Sequence, residues 1–175
     1  MNRRTMIKWL HWLAFGLILY FFIVEPEGVR GSPGLGLATH SGMGIILALV
    51  AAVWLGLFVK NGLAGRAGPK LPVWGKRFHG LSHRLLQIGL PVTVATGAFA
   101  GLAAPFAIKA FGVLQINPAA GTKGLHEFTE EIHEIAFDAL VVLIVAHAGF
   151  HLWRHFMLKD NALRIMVPKM LHRYL

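Results

Sequence analysis

Four long apolar runs, separated by segments rich in glycine, proline and charge, dominate the pattern of this chain. Hydropathy places them at about residues 6–24, 38–59, 81–104 and 132–158. Each is close to the roughly 20 residues that an α-helix needs to cross a bilayer. The pattern therefore predicts an all-α membrane protein, a single domain over residues 1–175, in which four transmembrane helices form a bundle with short loops.

Two shorter segments have weaker apolar patterns. Residues 105–116 are apolar but too few to span, so we expect them to lie along the interface or to fold back against the bundle. Residues 161–175 are cationic and moderately amphipathic. They predict a C-terminal interfacial helix on the inner membrane surface, attracted to anionic lipid.

Composition agrees with this class of protein and excludes others. The chain is 55% hydrophobic and 14% charged, with a mean hydropathy of +0.59, which is too apolar for an ordinary soluble domain. Cysteine is absent, which excludes disulfides, cysteine-ligated iron–sulfur clusters and covalently attached haem. The net charge of +9 does not indicate nucleic-acid binding, because the basic residues lie between apolar spans.

The charges also predict an orientation. Fourteen of the 17 lysines and arginines flank the ends of the spans that lie on the same side as both termini, and of the eight acidic residues only Asp160 lies on that side. Cytoplasmic loops of membrane proteins carry an excess of lysine and arginine. Both termini of this multi-pass chain are therefore predicted to be cytoplasmic.

Histidines within the apolar runs are the candidate chemistry, since ionisable residues inside a membrane are costly and usually functional. His133 and His147 share the last run, and fourteen helical residues advance about 21 Å through almost whole turns. Topology pairs His40 with His133 near the outer surface and His11 with His147 near the inner one. Such pairs suit two stacked haems. His151, eighteen residues after His133, would also lie on the same helix face, so spacing alone does not decide whether His147 or His151 is the second ligand.

The remaining histidines and glycines have simpler interpretations. His79, His126 and His172 are expected to be solvated near the interface, and His83 has no partner at haem spacing. A stripe of His147, His151 and His155 could bind zinc, but no cysteine or nearby carboxylate completes such a site. Gly42 and Gly44 suit either porphyrin access or helix packing. For Pro91 and Gly97 a kink with close packing is the favoured interpretation.

Short motifs distributed along residues 6–163 resemble the bacterial di-haem cytochrome b561 family, including its superoxide oxidase subgroup. They are W-L-H-W at 9–12, T-H-S-G-M-G at 39–44, L-P-V-T-V-A-T-G at 90–97, F-G-V at 111–113, H-E-I-A at 133–136, A-H at 146–147 and L-K-D-N-A-L at 158–163. The resemblance implies a bacterial inner-membrane protein with two haems b. Its axial ligands would be His11, His40, His133 and His147.

One departure concerns quinone. In superoxide oxidase the last helix resembles H-H before an aromatic pair and K-D, whereas this chain has Arg154 at the first of those positions. That histidine is associated with the quinone end of the family. The remaining quinone candidates near the inner haem are Lys159, His155 and Trp12, and ubiquinone is an expected further cofactor.

Three hypotheses of function follow from the ligand set and the resemblance. The first is membrane electron transfer through two bis-histidine haems b between a periplasmic-side donor and the quinone pool. The second is superoxide:ubiquinone oxidoreductase activity, which would make the chain an enzyme in its own right. The third is a haem-bearing anchor subunit of a larger dehydrogenase. Expected partners are membrane lipid, quinone and a periplasmic redox protein or dehydrogenase subunit, but not nucleic acid.

Overall fold

Four long helices account for most of the chain in a computed structural model, which describes residues 3–24, 26, 35–63, 65, 67–167 and 172–173. They are α1 (Arg3–Ile23), α2 (Leu35–Asn61), α3 (Val73–Ala103) and α4 (Lys123–Met157). All four are long and apolar enough to cross a membrane, which confirms the four predicted spans. The helices α3 and α4 begin before their apolar runs, in segments that mix apolar residues with charged residues and histidine.

Contacts at the end of the bundle that carries the N-terminus bring together the start of α1, the end of α2, the start of α3 and the end of α4. Arg3 donates to the carbonyl of Gly62 at 3.3 Å, and the Lys70 ammonium donates to the carbonyl of Lys159 at 2.9 Å. The indole of Trp12 donates to the carbonyl of Met166 at 3.0 Å. We call this the basic end.

Contacts at the opposite end join the start of α2, the end of α3 and the start of α4. The His126 ring lies 3.1 Å from the Ala100 carbonyl, and the amide of Phe111 donates to the carbonyl of Ala38 at 2.8 Å. Five exposed carboxylates of α4 lie in this half, so we call it the acidic end. The helices therefore alternate in direction, as short connections require.

An apolar cluster fills the middle of the bundle. It contains buried residues from all four helices: Ala14, Leu17, Leu47, Val50, Ala51, Leu90 and Leu140. Leu140 is only 2% exposed and lies seven residues from both His133 and His147. The cluster therefore separates a histidine level near the acidic end from a second level near the basic end.

The third connection folds back against α2, one of the two arrangements predicted for residues 105–116. Its two short strands, β1 (Lys109–Ala110) and β2 (Leu114–Gln115), pair antiparallel. The side chain of Asn117 secures this hairpin by accepting from the Ile108 amide and donating to the Phe106 carbonyl, each at 2.8 Å. At the tip, the ring of Phe111 lies directly over the backbone of Gly42.

The segment after α4 differs from the predicted interfacial helix. Lys159 and Asn161 adopt left-handed backbone conformations, with φ of 47° and 57°, which end the α-helix. A short 3-10 helix then covers Ala162–Ile165. Most of the predicted helix after Val167 lies outside the described residues.

Candidate functional site

At the acidic end, the structure brings the predicted pair His40 and His133 together. Their ring centres are 6.4 Å apart and their planes are nearly perpendicular, at 85°. Imidazoles on opposite faces of one metal ion, with metal–nitrogen bonds of about 2 Å, hold their ring centres roughly 6 Å apart. The spacing of His40 and His133 therefore fits one iron atom between them.

A hydrogen-bond chain fixes the ring of His133. The hydroxyl of Thr96 donates its only hydrogen to the carbonyl of Thr93 at 2.8 Å, and the same oxygen lies 3.2 Å from Nδ1 of His133. Because the hydroxyl hydrogen is already used, Nδ1 donates to Thr96. The lone pair of the neutral ring is then on Nε2, and a ligating histidine is commonly oriented in this way.

Glycines shape the space around this pair. A Cβ on Gly97 would come within 2.8 Å of Cε1 of His133, so the close packing predicted for Gly97 is packing against the imidazole itself. A Cβ on Gly42 would overlap the ring of Phe111, whereas Gly44 has open space beside it. Gly42 is therefore a packing position, whereas a Cβ on Gly44, one turn from His40, would meet no atom within 4 Å.

At the basic end, His11 lies near several imidazoles. It lies within electrostatic range of His147, and also of His83 and His151. Edge-on contacts with the indoles of Trp12 and Trp54, at 5.6 and 6.3 Å between ring centres, hold the His11 ring. The predicted pairing of His11 with His147 stays a prediction here, since contacts alone do not select one partner.

Unpartnered ring nitrogens mark both histidine levels. Nδ1 of His11, His40 and His147 is buried without a hydrogen-bond partner among the residues that the structure describes. A buried polar atom left unpaired costs about 1–3 kcal/mol, so such atoms are rare unless a ligand or water completes them. The spacing of His40 and His133 fits haem held between two histidines, and the unpartnered Nδ1 atoms show that the rings of His11, His40 and His147 are not fixed by hydrogen bonds to the described residues.

Sequence reasoning missed a cluster beside His147. His79, predicted to be solvated at the interface, is only 4% exposed, and its ring centre lies 4.3 Å from that of His83. The ring of His83 lies 4.9 Å from that of His147, and His147 lies 4.5 Å from His151. The available signal was two pairs of histidines with i, i+4 spacing, on α3 and on α4, which places each pair on one helix face.

The three quinone candidates occupy different environments at the basic end. Trp12 is 40% exposed and contacts both His11 and the carbonyl of Met166. His155 is buried, with Nδ1 unpartnered among the described atoms. Lys159 is exposed. Only Trp12 among them has a ring contact with a predicted haem ligand.

Arg154, which departs from the superoxide oxidase pattern, has a structural partner. Its guanidinium is 2% exposed and forms two contacts with Oδ2 of Asp160, at 2.7 and 2.8 Å. The other carboxylate oxygen accepts from the Ala162 amide at 3.0 Å. This buried ion pair ties the end of α4 to the segment that follows it.

Comparison with known proteins supports the same class of molecule. The family model for prokaryotic cytochrome b561 matches residues 3–169. The chain is also similar to cytochrome b561 homolog 1 of Escherichia coli (strain K12), with 30% identity over an alignment of 186 residues that covers 97% of this chain and 99% of that protein. The chain belongs to the prokaryotic cytochrome b561 family of membrane proteins, which bind haem b and transfer electrons.

Proposed function

We propose that this chain carries electrons across the bacterial inner membrane through two bis-histidine haems b, from a donor on the periplasmic side to the quinone pool. His40 and His133 hold the haem near the acidic end, and His11 and His147 hold the one near the basic end. The basic end, with both termini, faces the cytoplasm because it carries most of the lysines and arginines. The observation that carries the proposal is the 6.4 Å spacing of the His40 and His133 rings.

The protein's own residues orient the ligands and exclude water. Thr96 directs Nε2 of His133 toward the iron position, and Phe111 anchors the segment of α2 on both sides of His40. The apolar cluster around Leu140 keeps water out between the two levels. When bound, haem with two histidine ligands has no open coordination position and supplies one-electron transfer.

The charge of the acidic end favours a cationic electron donor. Four carboxylates on α4 recur at helical spacing and are all exposed: Glu127, Glu131, Glu134 and Asp138. Lys123 at this end is paired with Glu127 at 3.5 Å, which reduces the positive charge available there. Complementary charge accelerates and orients the encounter of two proteins, so a basic periplasmic cytochrome or a basic redox subunit of a dehydrogenase fits this surface.

The same charges argue against superoxide as the main reductant. Superoxide is an anion, and fast capture of an anion needs a positive entrance. The outer segments carry three basic residues against seven acidic ones. Direct oxidation of superoxide would therefore be slow in this chain, and stopped-flow mixing with superoxide checks that expectation through the rate of haem reduction.

Quinone is proposed to exchange electrons at the basic end, beside Trp12. The indole lies against the ring of His11 and is 40% exposed, so it connects the inner ligand with the lipid phase in which quinone dissolves. His155 and Lys159 are the further candidates at this end. Replacement of Trp12 by Leu is expected to slow reduction of a soluble ubiquinone analogue while the haem content stays unchanged.

Haem content in ligand variants tests the proposal. His40→Ala and His133→Ala are each expected to lose one of two haems, and His11→Ala is expected to lose the other. His126→Gln is the matched control, because His126 lies on α4 at the acidic end and its ring contacts the carbonyl of Ala100 and the ring of Phe106, neither of which belongs to a proposed ligand. If His133→Ala retains both bis-histidine spectra, the ligand assignment is wrong.

A further inference from the structure

Three histidines at the basic end, which we call the histidine trio, form a group apart from the proposed haem ligands. They are His79 and His83 on α3 and His151 on α4. One ring nitrogen from each can be chosen so that the three atoms lie within 4.8 Å of one another. Two elements of the bundle therefore direct three imidazoles into one small volume.

The trio has no other evident role in the fold. His79 is 4% exposed, and Nε2 of both His83 and His151 is buried without a hydrogen-bond partner in the described part of the chain. Buried ring nitrogens are normally satisfied by protein groups, water or a ligand. Unpartnered nitrogens on two of the three rings are therefore an independent sign that something binds there.

We propose that the histidine trio binds a divalent transition-metal ion of the Zn²⁺ type. Neutral imidazole is a preferred ligand of Zn²⁺, Cu²⁺ and Ni²⁺. In a tetrahedral site with metal–nitrogen bonds of 2.0–2.1 Å, the ligand atoms lie about 3.3 Å apart. The trio reaches that separation when atoms now within 4.8 Å close by about 1.5 Å at most, which side-chain rotation supplies.

The surroundings define a site with three protein ligands and one open position. Gly65 in the second connection lies over the trio, and a Cβ there would be 3.4 Å from His83 and 3.7 Å from His79. The nearest carboxylate in the sequence after α4, that of Asp160, already accepts from Arg154 and from the Ala162 amide. Water is therefore the expected fourth ligand, as in zinc sites that keep one position open.

A metal ion bound by the trio would lie close to His147, a proposed ligand of the basic-end haem. The ring of His151 lies 4.5 Å and that of His83 4.9 Å from the ring of His147. A double positive charge so close to this ligand stabilises an added electron at the basic-end level more than at the distant acidic-end level. Zn²⁺ is thus expected to raise the reduction potential measured for the basic-end haem selectively. Zn²⁺ binding itself does not depend on the proposed function, because the trio contains no proposed haem ligand.

Isothermal titration calorimetry with Zn²⁺ tests the site. The haem protein is purified with an affinity tag that contains no histidine, so that the tag does not bind the metal. The native chain is expected to bind one Zn²⁺. His83→Gln and His151→Gln should each weaken binding at least about 100-fold, more than loss of an outer partner of a ligand usually costs. His126→Gln at the acidic end should bind Zn²⁺ as the native chain does, and the haem content of every preparation is measured in parallel.

Three outcomes would overturn the proposal: no saturable Zn²⁺ binding by the native chain, unchanged binding in the trio variants, or loss of a haem from either of those variants. The last result would assign the imidazole to the haem centre instead. Zinc X-ray absorption on the native chain needs no variant. It is expected to show three imidazole nitrogens at about 2.0–2.1 Å, and a shell of oxygen atoms alone would contradict the site.

Discussion

The two histidine levels of the bundle differ in how narrowly their surroundings specify them. At the acidic end a single pair, His40 and His133, is held by Thr96, Gly97 and the Phe111 hairpin. At the basic end the rings of His79, His83, His147 and His151 contact one another, and His11 lies within electrostatic range of three of them. One level is thus built around one pairing, while the other has spare ligands. The comparison indicates that the same substitution will have unequal effects at the two ends.

The largest expected difference between the two ends is in haem content after the proposed α4 ligand at each level is replaced. His133→Ala leaves His40 without a substitute partner, so we expect complete loss of one haem. His147→Ala leaves His83 and His151 nearby, so we expect the basic-end haem to be retained in part with a changed spectrum. Haem absorbance per chain, with His126→Gln as control, measures both. Equal and complete losses would show that the spare imidazoles cannot reach the iron.

The ion pair at the basic end is the next test, since it concerns stability and not ligation. Asp160→Asn leaves Arg154 buried without a counter-charge, and removing one partner of a buried pair costs about 3–5 kcal/mol of unfolding free energy. Glu127→Gln breaks the exposed pair with Lys123 at the other end, where the expected cost is below about 1 kcal/mol. Unfolding of both variants and of the native chain in mixed detergent measures the two losses of unfolding free energy. Similar values would mean that water reaches Arg154.

Close packing at the acidic end can be probed with one methyl group. Gly97→Ala places a Cβ within 2.8 Å of the His133 ring, and overpacking of this kind costs about 1–3 kcal/mol. The acidic-end haem spectrum should shift while the other stays constant. Gly101→Ala, one turn further along α3, meets only Ile108 at 3.9 Å and serves as the control. An unshifted spectrum in Gly97→Ala would show that the ring has room to move.

The hydrogen bond of Thr96 has the smallest expected effect. Thr96→Val preserves the shape of the side chain but removes the oxygen that accepts from Nδ1 of His133. Loss of such a partner typically weakens metal binding 10–100-fold, so haem at the acidic end should be removed more readily by an apo-globin acceptor. The basic-end haem should be unaffected. Equal rates of haem loss from Thr96→Val and the native chain would contradict the tautomer inferred for His133.

Depth in the membrane was predictable from the sequence, but the rotation of each helix was not. Hydropathy predicts where each helix lies, and a spacing of fourteen residues places His133 and His147 on one face at two depths. Which residues on neighbouring helices meet depends on packing between side chains far apart in the chain. For that reason the burial of His79 and the contact of Thr96 with His133 were not anticipated.

The segments outside the helices were predicted less well, for a related reason. The hairpin at residues 109–115 is secured by Asn117 and by one bond to Ala38, and neither contact produces a periodic pattern. After α4, an amphipathic pattern predicted a helix, but the left-handed residues Lys159 and Asn161 and the Arg154–Asp160 pair favour a tighter turn. Local amphipathicity does not reveal such a tertiary contact.

The number of haems in the native protein tests the central claim most directly. A pyridine haemochrome assay on purified protein of known concentration gives both the haem type and the stoichiometry. Two haems b per chain are predicted, because the proposed ligands lie at two levels separated by an apolar cluster. A value of one haem per chain, or a colourless protein, would contradict the account.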